Sequence, residues 1–287
     1  MKSKVYLVGA GPGDPELLTL KALRLLQSAE VVLHDDLVAP EILKLIPSTA
    51  QIHNVGKRCG KKKILQGEIN CLIVALAASG LRVVRLKGGD PLIFGRAGEE
   101  VETLRRNNIP FEIVPGVTSA MGAAAAAQIP LTHRRASSAL VLITAHQSSE
   151  KDGAEKDASD WSKFVTSGAT LVIYMPGQNH SDIAKRLTAA GLAGETPCAV
   201  ISRATTRHQR IHLTTVLDLH RTPQLAAPTL LVVGEVVRLA DPAAMVEGFA
   251  MPDVSKANDG LRPPAHFKTF LRQAPRLGTD TDKEPVV

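Results

Sequence analysis

Two stretches of this chain end an apolar run abruptly in glycine, proline and one carboxylate. They are Val5-Tyr6-Leu7-Val8-Gly9-Ala10-Gly11-Pro12-Gly13-Asp14-Pro15 and Val83-Val84-Arg85-Leu86-Lys87-Gly88-Gly89-Asp90-Pro91. Such a run reads as a strand that delivers bare backbone to the edge of a sheet. Glycine there lets a ligand approach the main chain without meeting a Cβ. The pair predicts a small-molecule site shared between neighbouring strands, its two unhindered turns facing each other across a gap. Gly9-x-Gly11-x-Gly13 invites a dinucleotide, but that fingerprint needs its third glycine at the sixth position, which here is Asp14. Pro12 stiffens the loop as well. A ligand without phosphates, lying against rigid backbone, fits better.

Other residues leave alternatives open. Asp35 and Asp36 follow the second apolar run, where an acid could hold a ribose or merely be solvated. Lys57, Arg58, Lys61, Lys62 and Lys63 form either a solvated loop or, in a cleft, a positive patch that draws a polycarboxylate. His133, His146, His180 and His208 lack metal-ligand spacing, and no metal is expected. There is no HExxH, GxSxG or P-loop, which removes the usual support for hydrolases and kinases. Cys59, Cys71 and Cys198 are odd in number and widely spaced, so they build neither a disulfide framework nor a CxxC knuckle.

The elements that must position these residues alternate in the first part of the chain. Strands are predicted at 5–8, 31–34, 52–55, 82–86 and 111–114, and helices at 16–27, 40–45, 66–78 and 98–107. That alternation implies a mainly parallel sheet with helices on both faces, binding its ligand at the carboxyl ends of the strands. A small-residue helix over 118–128 suits close helix-on-sheet packing. After Pro130 the character changes. Strands at 137–144, 169–175, 197–203, 209–213 and 228–234, with one helix at 181–190, predict a smaller α/β domain. Expected domains are therefore 1–134 and 135–245. Residues 147–160 read as a mobile surface loop, and 251–287 as a disordered tail.

Bulk properties exclude more than they assign. The chain has 287 residues, 44% of them hydrophobic and 22% charged, as in ordinary globular proteins. No apolar run approaches the ~20 residues that span a bilayer. The start, Met1-Lys2-Ser3-Lys4, has no apolar leader, so a cytoplasmic location without membrane association is expected. A formal charge of +6 favours acidic partners. Only 3% of residues are aromatic, which argues against base stacking, and no zinc finger or RNP signature is seen, so nucleic acid is not expected.

Taken together, VGAGPGDPELLTLKAL (8–23), GKR (56–58), VVRLKGGDPLIFGRAGEE (83–100), PGVTSA (115–120), IPLTHR (129–134), YM (174–175) and GEVV (234–237) carry a resemblance. The chain resembles the uroporphyrinogen-III C-methyltransferases of the tetrapyrrole methylase family from about Lys4 to Leu239. The resemblance implies transfer of two methyl groups from S-adenosylmethionine to ring carbons C2 and C7 of uroporphyrinogen III. The product, precorrin-2, serves sirohaem and cobalamin synthesis. It also implies a two-domain fold, parallel N-terminal sheet plus mixed C-terminal sheet, with the active site in the cleft between them, and a homodimer.

Carried over by position, Asp35 is the proton acceptor and Lys57 the proton donor. Donor contacts fall on Pro12, Gly88, Gly89, Asp90, Ile93, Thr118, Ser119, Met175 and Ala204, and substrate contacts on Arg58, Lys62 and Arg134. The chain departs from the family pattern at Asp36 (usually arginine), Lys62 (histidine), Ala97 (glycine), Ala126 (tyrosine), Gln128 (glycine), Arg135 (aspartate) and Ala204 (glycine). Those changes concentrate on positions expected to face substrate. A different tetrapyrrole methylase, or a homologue that binds the donor without turnover, are the alternatives.

Overall fold

The structure, a computed structural model, describes residues 3–56, 64–145, 161–165 and 168–240. The cationic run 57–63, the loop expected over 147–160 and the tail 251–287 lie outside the described residues.

The first sheet contains β1 (Val5–Gly9), β2 (Val31–His34), β3 (Gln51–Asn54), β4 (Val83–Lys87) and β5 (Phe111–Val114). All its pairs are parallel, in the order β3-β2-β4-β1-β5. Side chains alternate between the faces, as a pleated strand requires. Val8, Val32, Val84 and Leu86 pack with Ala22 and Leu26 of α1 (Leu20–Gln27) and Ile42 of α2 (Pro40–Leu43). On the other face Val5, Val31, Leu33 and Val83 meet Ile69, Ile73 and Ala77 of α3 (Gln66–Ala78) and Leu104 of α4 (Ala97–Arg106). Burying each such Leu or Ile contributes about 1.5–3 kcal/mol. The chain leaves β1 in one direction along the sheet and β4 in the other. Strand order therefore reverses at the β1/β4 pair, the place where sheets of this kind bind ligands at their carboxyl ends.

The second sheet contains β6 (Ala139–Thr144), β7 (Ala169–Tyr174), β8 (Pro197–Ser202), β9 (Arg210–Thr215) and β10 (Thr229–Val233). Its order is β6-β7-β10-β8-β9, and only β6 and β7 run parallel. The alanine helix α5 (Ser119–Ala126) lies on it, Ala120, Ala123 and Ala124 packing with Val172, Tyr174, Ile201 and Val232. Small side chains let that helix approach closely. On the opposite face α6 (His180–Ala189) buries Ile183 and Leu187 against Ile173, Val200 and Leu231. Both sheets lie in one compact unit, Met1–Ala250.

The predicted first helix is broken in two. Asp14 accepts the Glu16 amide at 2.9 Å and starts a single 3₁₀ turn, Pro15–Leu17. Leu18 and Thr19 are then extended, and the Thr19 hydroxyl accepts the Ala22 amide at 3.1 Å to cap α1. Because α1 starts anew here, its first amides lack intrahelical acceptors, and the threonine cap satisfies one of them. Leu20, at the start of α1, is 79% exposed.

Candidate active site

The two glycine turns are hydrogen-bonded to each other. Gly89 N donates to Gly11 O at 2.8 Å, Gly11 N to Gly89 O at 3.1 Å, and Ala10 N to Lys87 O at 2.7 Å. Both glycines occupy the left-handed region, at φ +72° and +68°. This corrects the expectation of turns facing one another across a gap. β1 and β4 are parallel neighbours, so their ends emerge side by side on one edge. Sterics of the chain itself give a further reason for glycine. A Cβ on Gly9 would lie 2.7 Å from Gly89 O, one on Gly116 2.4 Å from the same oxygen, and one on Gly88 2.7 Å from Leu37 Cβ. At these positions the packing of chain against chain by itself demands glycine.

Carboxylates brace this edge. Asp90 accepts Gly116 N at 3.0 Å and Leu92 N at 2.8 Å, which joins the end of β4 to the segment after β5. Asp35, one residue past β2, accepts Gly88 N at 3.2 Å and Leu37 N at 3.1 Å. Its half-buried carboxylate therefore stands beside the glycine edge. Asp36 is exposed and accepts from Asn54 Nδ2 at 2.8 Å.

The second sheet supplies the facing wall. The Tyr174 hydroxyl lies 2.6 Å from Thr118 Oγ1 and accepts the Ala120 amide at 3.2 Å. Its ring meets Phe94 at 4.9 Å between centroids, and burial pushes the phenol above its ordinary pKa. Thr118 sits at the cap position of α5, yet its side chain makes no capping bond and goes to Tyr174 instead. Met175 follows with φ +51° and is 49% exposed. Beyond β8, Thr205 accepts the Asp14 amide at 3.2 Å and donates its own amide to Gln209 Oε1 at 2.7 Å. Ala204 is nearly buried there, its carbonyl 3.4 Å from where a Gly13 Cβ would sit. Pro12 abuts Gly122 of α5, where a Cβ would come within 2.5 Å of its ring.

Gly88, Gly89, Asp90, Thr118 and Ser119 thus meet Asp35 at one sheet edge, Pro12 and Ala204 make the adjoining contacts to Gly122 and Gly13, Met175 follows Tyr174, and Ile93 packs on the core of the second sheet. Arg134 is exposed in a turn closed by His133 N to Ser137 O at 2.9 Å, outside that hydrogen-bonded group. Lys57, Arg58 and Lys62 lie outside the described residues. Leu37, Leu92, Phe94 and Met175 leave 41–62% of their surface exposed around the edge. Neutral backbone and soft apolar side chains fit a sulfonium compound. Among the described residues no group of His, Cys, Asp and Glu could hold a metal ion.

Sequence reasoning missed the support beneath the edge. Arg85 and Lys87 are 4% and 3% exposed, and both reach Glu100 of α4. Arg85 Nε and Lys87 Nζ each lie 3.0 Å from Glu100 Oε1, and Lys87 also reaches Oε2 at 3.1 Å. Gln66 Nε2 adds a bond of 3.2 Å to Oε1. Burial, then the Arg85 charge, pushes the Lys87 ammonium below its ordinary pKa, while Glu100 and Asp35 pull it back. Cations at i and i+2 in an otherwise apolar strand, with a glutamate on the next helix, were the available signal. For Tyr174 the signals were its place at a strand end and the YM pair of the resemblance, neither of which points to its hydroxyl.

Fold and site define a two-domain α/β protein, a parallel sheet with a glycine-rich carboxyl edge joined to a mixed sheet. The chain belongs to the tetrapyrrole (corrin/porphyrin) methylases, whose family model matches residues 4–220. It is 50% identical over 248 residues to siroheme synthase of Azotobacter vinelandii, covering 85% of this chain and 52% of that protein. The chain thus spans about half the length of the curated relatives it matches. Among solved structures, uroporphyrin-III C-methyltransferase of Thermus thermophilus complexed with S-adenyl homocysteine is 40% identical, with a TM-score of 0.71. That match covers 83% of this chain and all of the other. A cobalamin biosynthetic enzyme, cobalt precorrin-4 methyltransferase, is 31% identical with a TM-score of 0.71, covering 83% of this chain and 96% of its own.

Proposed function

We propose that this protein transfers methyl groups from S-adenosylmethionine to C2 and C7 of uroporphyrinogen III, giving precorrin-2 for sirohaem or cobalamin synthesis. The observation that carries this is the meeting, at one sheet edge, of the Gly11–Gly89 bridge with the Asp35 carboxylate on Gly88. Likeness to the Thermus thermophilus enzyme over its whole length supports the same conclusion. The bound donor supplies a methyl group on a sulfonium and leaves as a neutral thioether. Each transfer forms one carbon–carbon bond, breaks one carbon–sulfur bond and leaves the positive charge on the macrocycle. Loss of one proton restores neutrality, and Asp35 is the acceptor in this proposal. Positioning of two reactants is worth roughly 7–11 kcal/mol in favourable cases. General-base help adds about 10²–10⁴ in rate.

In the same proposal Pro12, Gly88, Gly89, Asp90, Ile93, Thr118, Ser119, Met175 and Ala204 contact the donor. Lys57 is the proton donor, and Arg58, Lys62 and Arg134 attract substrate carboxylates. Uroporphyrinogen III bears eight carboxylates, which gives the cations of 57–63 a purpose through electrostatic steering. We further propose domains 1–134 and 135–245, a homodimer and a cytoplasmic location. In support of the last, no helix among the described residues is long and apolar enough to cross a membrane.

The test is incubation with the methyl donor and freshly generated uroporphyrinogen III, followed by absorbance and mass. Two added methyl groups are expected. A single methyl, or product only from a corrin precursor, would move the assignment to another tetrapyrrole methylase. Tight donor binding with no product from either would leave a binding protein.

A further inference from the structure

We propose that Lys87 is a positioning residue of this site: locked by Glu100 under the sheet edge, it supplies the buried positive charge against which Asp35 stands as a carboxylate. The inference rests on Asp35 being the proton acceptor. β2 and β4 are parallel and in register, with Leu33 opposite Arg85 and His34 opposite Leu86. One step further along each strand brings Asp35 beside Lys87. The Asp35 carboxylate then takes the amide hydrogen of Gly88, the residue directly after Lys87, at 3.2 Å.

The charge balance points the same way. Arg85 alone is enough to pair with Glu100, its Nε at 3.0 Å from Oε1, while its Nη1 donates to Leu33 O and Leu86 O at 3.3 and 3.1 Å. Lys87 adds a second cation to the same carboxylate, at 3% exposure. Burying an extra ammonium is costly unless another negative charge answers it. Asp35, the lateral neighbour of Lys87 just past the β2/β4 pairing, offers that negative charge. Two cations with Glu100 and Asp35 make a neutral set, and its one member at the glycine edge is the proposed base. His34, whose Nδ1 lies 2.9 Å from Asp35 O, and exposed Asp36 adjoin Asp35 along the chain. Gly95 leaves the room for the lysine stem, since a Cβ there would come within 3.2 Å of Lys87 Cε.

Lys87→Met and Lys87→Gln, made in the full chain, separate charge from scaffolding. Glutamine keeps a hydrogen bond to Glu100 but carries no charge. In both variants the acid limb of the kcat–pH profile is expected to move up by roughly one pH unit or more. Donor affinity by equilibrium dialysis should change little. Should Lys87→Met fail to fold, Lys87→Gln gives the same readout. A wild-type limb in Lys87→Gln would reduce Lys87 to scaffolding and overturn the proposal. Asp35→Asn is measured alongside. Wild-type turnover there refutes Asp35 as the base, whereas an inactive Asp35→Asn with unshifted Lys87 variants refutes only the role of Lys87.

Discussion

The Asp35 carboxylate holds the Gly88 amide at 3.2 Å, tying the end of β2 to the glycine turn that ends β4. Because Gly89 is in turn bridged to Gly11, one carboxylate is built into the edge that both glycine motifs form. A base placed there is fixed by the backbone, not by a flexible loop.

Gly116 lies where backbone meets backbone, 2.4 Å from Gly89 O to its hypothetical Cβ. Gly116→Ala should therefore destabilise by about 1–3 kcal/mol in urea melts, through strain at a packed site. Gly98→Ala is the control. Nothing lies within 4 Å of its added Cβ, and it sits in α4, so it should be neutral or stabilising by up to ~1 kcal/mol. Equal losses in the two would contradict this packing.

Tyr174→Phe keeps the ring against Phe94 but removes the hydroxyl shared by Thr118 and Ala120. It leaves the Ala120 amide without its acceptor, at a cost of about 1–3 kcal/mol. Since Thr118 and Ser119 are proposed donor contacts, calorimetry should also show weaker S-adenosylmethionine binding. Unchanged affinity and stability would mean that Tyr174 is a bystander.

Thiol chemistry distinguishes the two described cysteines. Cys71 is exposed, whereas burial pushes the Cys198 thiol up to about 12. In a Cys59→Ser, Cys71→Ser background a thiolate-trapping reagent should react with Cys198 only after denaturant is added. Prompt reaction in the native state would contradict its burial.

Glu112 receives hydrogen bonds from Lys21 and Lys4, which hold its carboxyl down at about 2 against 4.5 for a free one. A depressed carboxyl stabilises the fold above its unfolded pKa and loses that contribution as pH falls through the folded value. Glu112→Gln should therefore lower the melting temperature at neutral pH, with the gap to wild type closing between about 4.5 and about 2. A gap that persists unchanged in acid would rule out this ion pair as its cause.

Much of the fold was legible because its strands are apolar runs cut by glycine and proline. β2, β5 and α3 have the bounds that periodicity predicts. Pattern alone could not see Thr19 capping a helix in the middle of an apparently continuous apolar face. It also missed part of why the glycines are there, since a sequence does not show that Gly9, Gly89 and Gly116 meet. Arg85 and Lys87 read as ordinary charges in a strand, because their carboxylate lies on a helix that only the folded chain brings beneath them. Gln128 is informative in reverse. It replaces the family's glycine at φ +52°, a left-handed conformation that costs a side-chain residue roughly 1–2 kcal/mol.

The central claim is that the carboxylate on Gly88 takes the proton released by methyl transfer. Single-turnover kinetics of Asp35→Asn with uroporphyrinogen III, paired with equilibrium dialysis of the methyl donor, tests it most directly. The expected result is a fall of about 10²–10⁴ in the rate of methylation with donor affinity nearly unchanged. Methylation at the wild-type rate in that variant would contradict it.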